Sequence, residues 1–200
     1  MKHLRHSQKN EAELALILTN IVGNNPHLVE LLTQLQEFDL PDWLLVSGAI
    51  YNNVWNHLTD RNSMTGVKDF DVFYFDASDL SYEAEDKIIQ RGAKKFAGFS
   101  RPVEIRNQAR AHLWVPQKFG FDLPPLKSSG EMLQNFASRT HAVGVGLNAK
   151  NEIKIVAPFG LSDIFSFRLT PNYNRANRAT YEQKASRLKK NWPELNIVPW

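Results

Sequence analysis

The run Trp43-Leu44-Leu45-Val46-Ser47-Gly48-Ala49-Ile50, followed downstream by Lys68-Asp69-Phe70-Asp71-Val72-Phe73-Tyr74-Phe75-Asp76, decides how this chain of 200 residues is read. Trp43 to Val46 is a short continuous apolar run, the pattern of a buried strand, and Ala49 to Leu58 continue at helical spacing. A strand therefore runs through Ser47-Gly48 straight into a helix. The second stretch is rich in aromatic and β-branched residues that alternate with polar ones, which predicts a half-buried strand over 68–76. Upstream, Leu14, Ile17, Leu18, Ile21 and Val22 mark a helix over 8–23, and after the Gly23-Asn24-Asn25-Pro26 break Leu28, Leu31, Leu32 and Leu35 mark another. Downstream, 59–66 is a polar loop, 81–97 an amphipathic helix and Pro102 to Arg106 a strand. The second half is less regular. It predicts a helix near Ser129 to Ala137, a hairpin of Ala142–Leu147 and Glu152–Val156 across Asn148 to Asn151, and a closing helix from Asn174 to Trp192.

Bulk properties narrow the class. At 42% hydrophobic and 22% charged, the chain has the make-up of an ordinary globular protein, expected as one domain over 1–200 with its core at about 40–115 and an elaboration at about 116–200. A net charge of +3, from 24 basic and 21 acidic residues, does not by itself argue for nucleic acid. Cysteine is absent, so any metal must be held by oxygen or histidine. The apolar stretch Leu14 to Val22 is broken by Thr19 and Asn20 and lacks a small-residue cleavage site, so no leader or membrane span is expected and the location is taken as cytoplasmic.

Asp69 and Asp71 stand two apart on the second predicted strand, which would project both carboxylates from one face with Cβ atoms roughly 7 Å apart. Like charges so close raise each other's pKa unless a cation sits between them. A lone Asp-x-Asp is more often a solvated strand start, and a lone Ser-Gly more often a plain turn. Here they occur together: Gly48 allows close approach of a phosphate, and the helix start behind it offers free N–H groups. Glu104 completes the set, since Val103 and Ile105 would face the core and leave it on the opposite face; the bland alternative pairs it with Arg106 or Lys68.

The stretches Leu45-Val46-Ser47-Gly48-Ala49-Ile50-Tyr51-Asn52, Lys68 to Asp76 and Val103 to Trp114 together resemble a bacterial group of nucleotidyltransferase family proteins in the polymerase-β superfamily. The resemblance continues through Thr140-His141-Ala142-Val143-Gly144-Val145, Ala157 to Asp163 and the Trp192-to-Trp200 tail, and so covers nearly the whole chain. It implies an α+β fold, a small mixed sheet flanked by helices, with a phosphate-binding turn after the first strand, paired aspartates on the second and a third acidic residue on a later one. The superfamily's turn usually reads Gly-Ser or Gly-Gly, whereas this chain has Ser47-Gly48.

The activity expected is transfer of a nucleoside monophosphate from a nucleoside triphosphate to a hydroxyl, with pyrophosphate released. Asp69, Asp71 and Glu104 would hold magnesium, or manganese in its place; Ser47, Gly48, Lys68 and Arg106 would hold the phosphates. The acceptor, a small molecule, a protein or an RNA, is not named by the sequence. Rival readings are a nucleotide-binding or regulatory module without turnover, and an RNA-binding protein on the same fold. Arg110, Arg139 and His141 are candidate substrate contacts, His141 the weakest. Trp55, Trp114, Trp192 and Trp200 are expected as packing anchors. Arg175, Arg178, Lys184, Arg187, Lys189 and Lys190 are expected as a solvated helix face, or as an acceptor-side patch if the acceptor is RNA.

Overall fold

In the computed structural model, which describes residues 2–174 and 176–200, two asparagines set the first two helices. Asn10 forms a capping box with Glu13 at the start of α1 (Glu11–Gly23), and the Asn25 side chain accepts from the His27 and Leu28 N–H groups ahead of α2 (Pro26–Phe38). Pro26 sits at the first turn of α2, where its missing N–H costs nothing, and α2 ends at Asp39 in the left-handed region. Both helices bury their leucine faces.

β1 (Leu44–Val46) leads into α3 (Gly48–Leu58); β2 (Phe70–Tyr74), α4 (Tyr82–Lys95), β3 (Val103–Asn107) and α5 (Ala111–Phe119) follow. The hairpin of β4 (Gly144–Leu147) and β5 (Ile153–Val156) completes a sheet ordered β3-β2-β1-β4-β5, antiparallel throughout except for β2 and β3, which are parallel. This is the mixed α+β arrangement expected. Alternate residues divide the sheet. Leu45, Val72, Ile105 and Val145 enter the large core shared with α1, α2 and α3, while Leu44 and Val46 point the other way, toward Leu133, Ala142, Phe73 and Phe136.

The chain closes with α6 (Ser162–Phe165), β6 (Arg168–Leu169), α7 (Arg178–Asn191) and β7 (Asn196–Ile197), with β6 and β7 paired in parallel. Three expectations are corrected. The segment near Ser129 to Ala137 is a 3-10 helix over Gly130–Asn135, the closing helix starts only at Arg178, and α5, α6 and the β6–β7 pair were not foreseen. β6 and β7 are two residues each, too short for an alternation pattern, and Pro116 inside α5 disguises a helix. Arg175 lies outside the described residues. No helix among the described residues is long and apolar enough to cross a membrane.

Trp192, fully buried, carries the C-terminal segment into the main core. Its ring meets Trp55 at 5.2 Å between centroids, and its Nε1 donates to Asn56 Oδ1 at 3.2 Å. Trp55 Nε1 donates to Ile164 O at 2.9 Å, so two of the four expected anchors are placed in the core with their polar atoms satisfied.

Candidate active site

The turn that joins β1 to α3 is strained at an unexpected residue. Ser47, buried, has φ 59° and ψ −116°, a conformation glycine adopts freely and a residue with a Cβ does not, while Gly48 has ordinary negative φ. The turn is pinned from both sides: Ser47 N–H donates to Val143 O at 2.7 Å, and the Ser47 carbonyl accepts from the Ile50 and Tyr51 N–H groups at 2.9 and 3.1 Å. No side chain caps α3, and the Gly48 and Ala49 N–H groups that open the helix have no hydrogen-bond partner among the described residues. A Cβ at Gly48 would meet only Asn52 Nδ2 at 3.5 Å and Tyr51 Oη at 3.9 Å, ordinary van der Waals contact. Packing within the fold therefore does not demand glycine there.

Register brings the acidic residues to this turn. Val46, Asp71 and Glu104 lie side by side across β1, β2 and β3, with Asp71 paired to Val46 on one side and to Glu104 on the other. Arg106, two residues beyond Glu104, falls beside Phe73 on the same face. Asp69 lies just before β2, a correction to the strand expected over 68–76. β1 turns away at Ser47, the position that would stand opposite Phe70, so nothing remains on that side to pair with Asp69, and the parallel ladder starts at Phe70 opposite Val103. Lys68 is exposed, as are Glu104 and Arg106; Asp69 and Asp71 are half-buried.

Burial first, then the like charges of Asp69 and Glu104, push the Asp71 carboxyl up to about 6, with Lys184 and Arg106 acting against the rise. Asp69 and Glu104 thus both act on Asp71, and the three offer the oxygen-only donors that a hard divalent cation takes. Among the described residues no three such side chains already stand in ligating geometry around one point.

Two basic residues expected to be solvated turn toward this face. Lys184 on α7 loses basicity through burial and the neighbouring Arg187, an effect opposed by Asp71 and Asp69. Arg187 is half-buried, and its charge also acts on Tyr51 behind the turn, whose hydroxyl burial pushes up to about 12. The other described members of the basic group stay outside: Arg178 pairs with Glu182, Lys189 donates to the Pro193 and Leu195 carbonyls, and Lys190 is exposed. Lys184 and Arg187 are three apart, so one face of α7 presents both. That spacing is the one signal in the sequence from which their role could have been read.

The remaining candidates are placed elsewhere or differently. Arg110 is committed to α4, ion-paired with the buried Glu85 and donating Nε to Leu80 O at 2.9 Å. Arg139 lies over the Phe159 ring at 4.9 Å. His141 is fully buried, stacked on Tyr51 at 4.7 Å, and burial with Lys184 and Arg187 nearby holds it well below the usual histidine range. Trp114 lines a cleft beside Lys184.

Comparison with curated protein sequences finds no match. A solved structure described as "The NMR structure of the protein reveals a CCA-adding enzyme head domain" superposes with a TM-score of 0.77 at 25% identity, covering 96% of this chain and 97% of that one. The model of the nucleotidyltransferase family matches residues 33–197, from α2 through β7 and across every strand of the sheet, and the chain belongs to that family.

Proposed function

We propose that this protein transfers a nucleoside monophosphate from a nucleoside triphosphate to a hydroxyl acceptor and releases pyrophosphate, with Asp69, Asp71 and Glu104 as the metal-binding and catalytic carboxylates. The observation that carries the reading is the register that sets Glu104 beside Asp71, and Asp71 beside the last residue before the Ser47-Gly48 turn. Family membership supports nucleotidyl transfer as the reaction class, and the neighbour's description as a CCA-adding enzyme head domain supports addition of nucleotides to an acceptor.

Magnesium, or manganese, would be held by Asp69, Asp71 and Glu104, and when bound it supplies neutralisation of phosphate charge and activation of the acceptor oxygen. The chain's own groups do the rest. The unpaired N–H groups at the start of α3 bind phosphate oxygens of the triphosphate, and the bare Cα of Gly48 lets them approach. Arg106 and Lys184 flank the acidic row and offset charge on the triphosphate; Lys68, exposed before Asp69, is placed to reach the same groups. The acceptor oxygen attacks the α-phosphorus, the bond to the bridging oxygen breaks, and pyrophosphate leaves; Glu104, the most exposed carboxylate, is the group to receive the acceptor's proton.

The test is a thermal-shift and transfer experiment with the four ribonucleoside triphosphates, with and without magnesium, followed by label from the α-phosphate. Wild type is expected to gain stability only when metal and nucleotide are both present, by roughly 2.7 kcal/mol at about 100 times the dissociation constant. Asp69→Asn and Asp71→Asn lose the gain, and Gly48→Ala keeps the fold but lowers nucleotide affinity by about tenfold or more, since its methyl group occupies the phosphate approach. Absence of any metal- and aspartate-dependent shift would sink the proposal. A shift without label transfer to small-molecule, protein or RNA hydroxyls would reassign the chain as a nucleotide-binding module.

A further inference from the structure

The acidic row continues into an aromatic cleft. Phe73 follows Asp71 on the same face of β2, and together with Trp114, Phe121, Phe136, Asn177 and Lys184 it lines a cavity of about 150 Å³. A cavity of that size lined by apolar side chains admits a single flat ring system. Lys184 belongs to both places, since it lines the cleft and its charge acts on Asp71 and Asp69. Asn177 lines the cleft, and its Oδ1 is buried with no hydrogen-bond partner among the described residues. Asn177 stands at the N-cap of α7, where an asparagine ordinarily accepts from the helix, yet its side chain makes no capping bond. Its acceptor is left for something that is not part of the chain.

We propose that this cleft binds the base of the donor nucleotide, stacking it against Phe73 and Trp114 and accepting a hydrogen bond at Asn177 Oδ1 from an exocyclic amino group. The inference rests on the nucleotidyl-transfer reading above. The order of groups on the sheet supports it. Moving back along β1 from the Ser47-Gly48 turn, Val46 stands opposite Asp71 and Leu44 opposite Phe73, the sequence in which triphosphate, sugar and base would be laid out. Asp71 and Phe73 are two strand residues apart, roughly 7 Å, a span the sugar can bridge. Adenine, cytosine and guanine carry the required amino group, and uracil does not.

Calorimetric titration of the full chain, in magnesium, with ATP, CTP, GTP, UTP and inorganic tripolyphosphate tests this directly. At least one amino-bearing nucleotide is expected to bind about tenfold or more tighter than both UTP and tripolyphosphate, as stacking plus one hydrogen bond allow. Trp114→Ala and Asn177→Ala should bring that nucleotide down to the tripolyphosphate level and leave tripolyphosphate itself unchanged; circular dichroism checks their fold. Equal binding of tripolyphosphate and all four nucleotides overturns the cleft assignment while sparing the phosphate site. So does an unchanged nucleotide affinity in both variants, and if those variants instead weaken a single-stranded RNA oligonucleotide, the cleft belongs to the acceptor. Failure of tripolyphosphate and nucleotides alike to bind overturns both readings.

Discussion

Ser47 holds the least comfortable backbone of the site. A residue with a Cβ at φ 59° and ψ −116° costs on the order of 1 to 3 kcal/mol, and the hydrogen bonds to Val143, Ile50 and Tyr51 hold it there. Ser47→Gly relieves the strain at a smaller entropic cost in the unfolded chain, and the expected outcome is a gain of about 1 kcal/mol in urea denaturation. Asp71 is the other residue under tension. Its carboxyl, raised from 3.8 to about 6, binds its proton more tightly in the folded chain than in the unfolded one. Ionising it therefore takes stability away as pH rises through that window, and the loss is complete above it. In chelator, Asp71→Asn should melt higher than wild type above about pH 6, with the gap closing as pH falls toward the ordinary carboxyl value. Melting curves that run parallel across the whole range would contradict this account of the acidic row.

At the scale of the element, α3 does more than begin at a phosphate turn. Its buried asparagines hold the segment that delivers the aspartates. Asn52 Nδ2 donates to Gly66 O at 3.2 Å, and Asn56 Nδ2 donates to Ser63 O and Thr65 O at 3.1 and 2.9 Å while its Oδ1 accepts from Trp192. Asn53 instead reaches back to Ala49 O and receives Asn25. Gly66 has φ 72°, and a Cβ there would lie 2.3 Å from Trp192 Cη2, so glycine at that position is required by both backbone and packing. Asn56→Ala leaves two carbonyls and an indole N–H without partners in a largely dry setting. A loss of about 3 kcal/mol or more is expected, read by denaturant unfolding; a loss under about 1 kcal/mol would mean that water replaces the asparagine.

For the whole molecule, the C-terminal quarter is part of the site's frame. Trp192 closes the core beneath Gly66, and α7 sets Lys184 over the acidic row, with Arg187 beside it and near Tyr51 behind the turn. Trp192→Ala should cost about 3 to 5 kcal/mol. Hydrogen exchange should then quicken over residues 62–69 more than in the α1–α2 pair, because the loop before Asp71 loses its backing. Uniform quickening across the chain would show that Trp192 serves stability alone.

What the amino-acid sequence determined by itself was local. Apolar periodicity marked α1, α2, α3, α4 and the hairpin, the apolar run into Ser47-Gly48 marked the turn, and alternation around Phe70 and Val72 marked the strand that carries Asp71. Opposition of Glu104 to Val103 and Ile105 even selected its face. Only the tertiary structure decided which strands are neighbours, because pairing and register depend on loop closure and on burial of one face against helices distant in sequence. That step put Asp71 between Val46 and Glu104, placed the strained φ on Ser47 rather than Gly48, and tied Arg110 to Glu85. It also folded α7 back, so that Lys184, which read as part of a solvated helix face, became the charge facing the carboxylates, with Arg187 beside it.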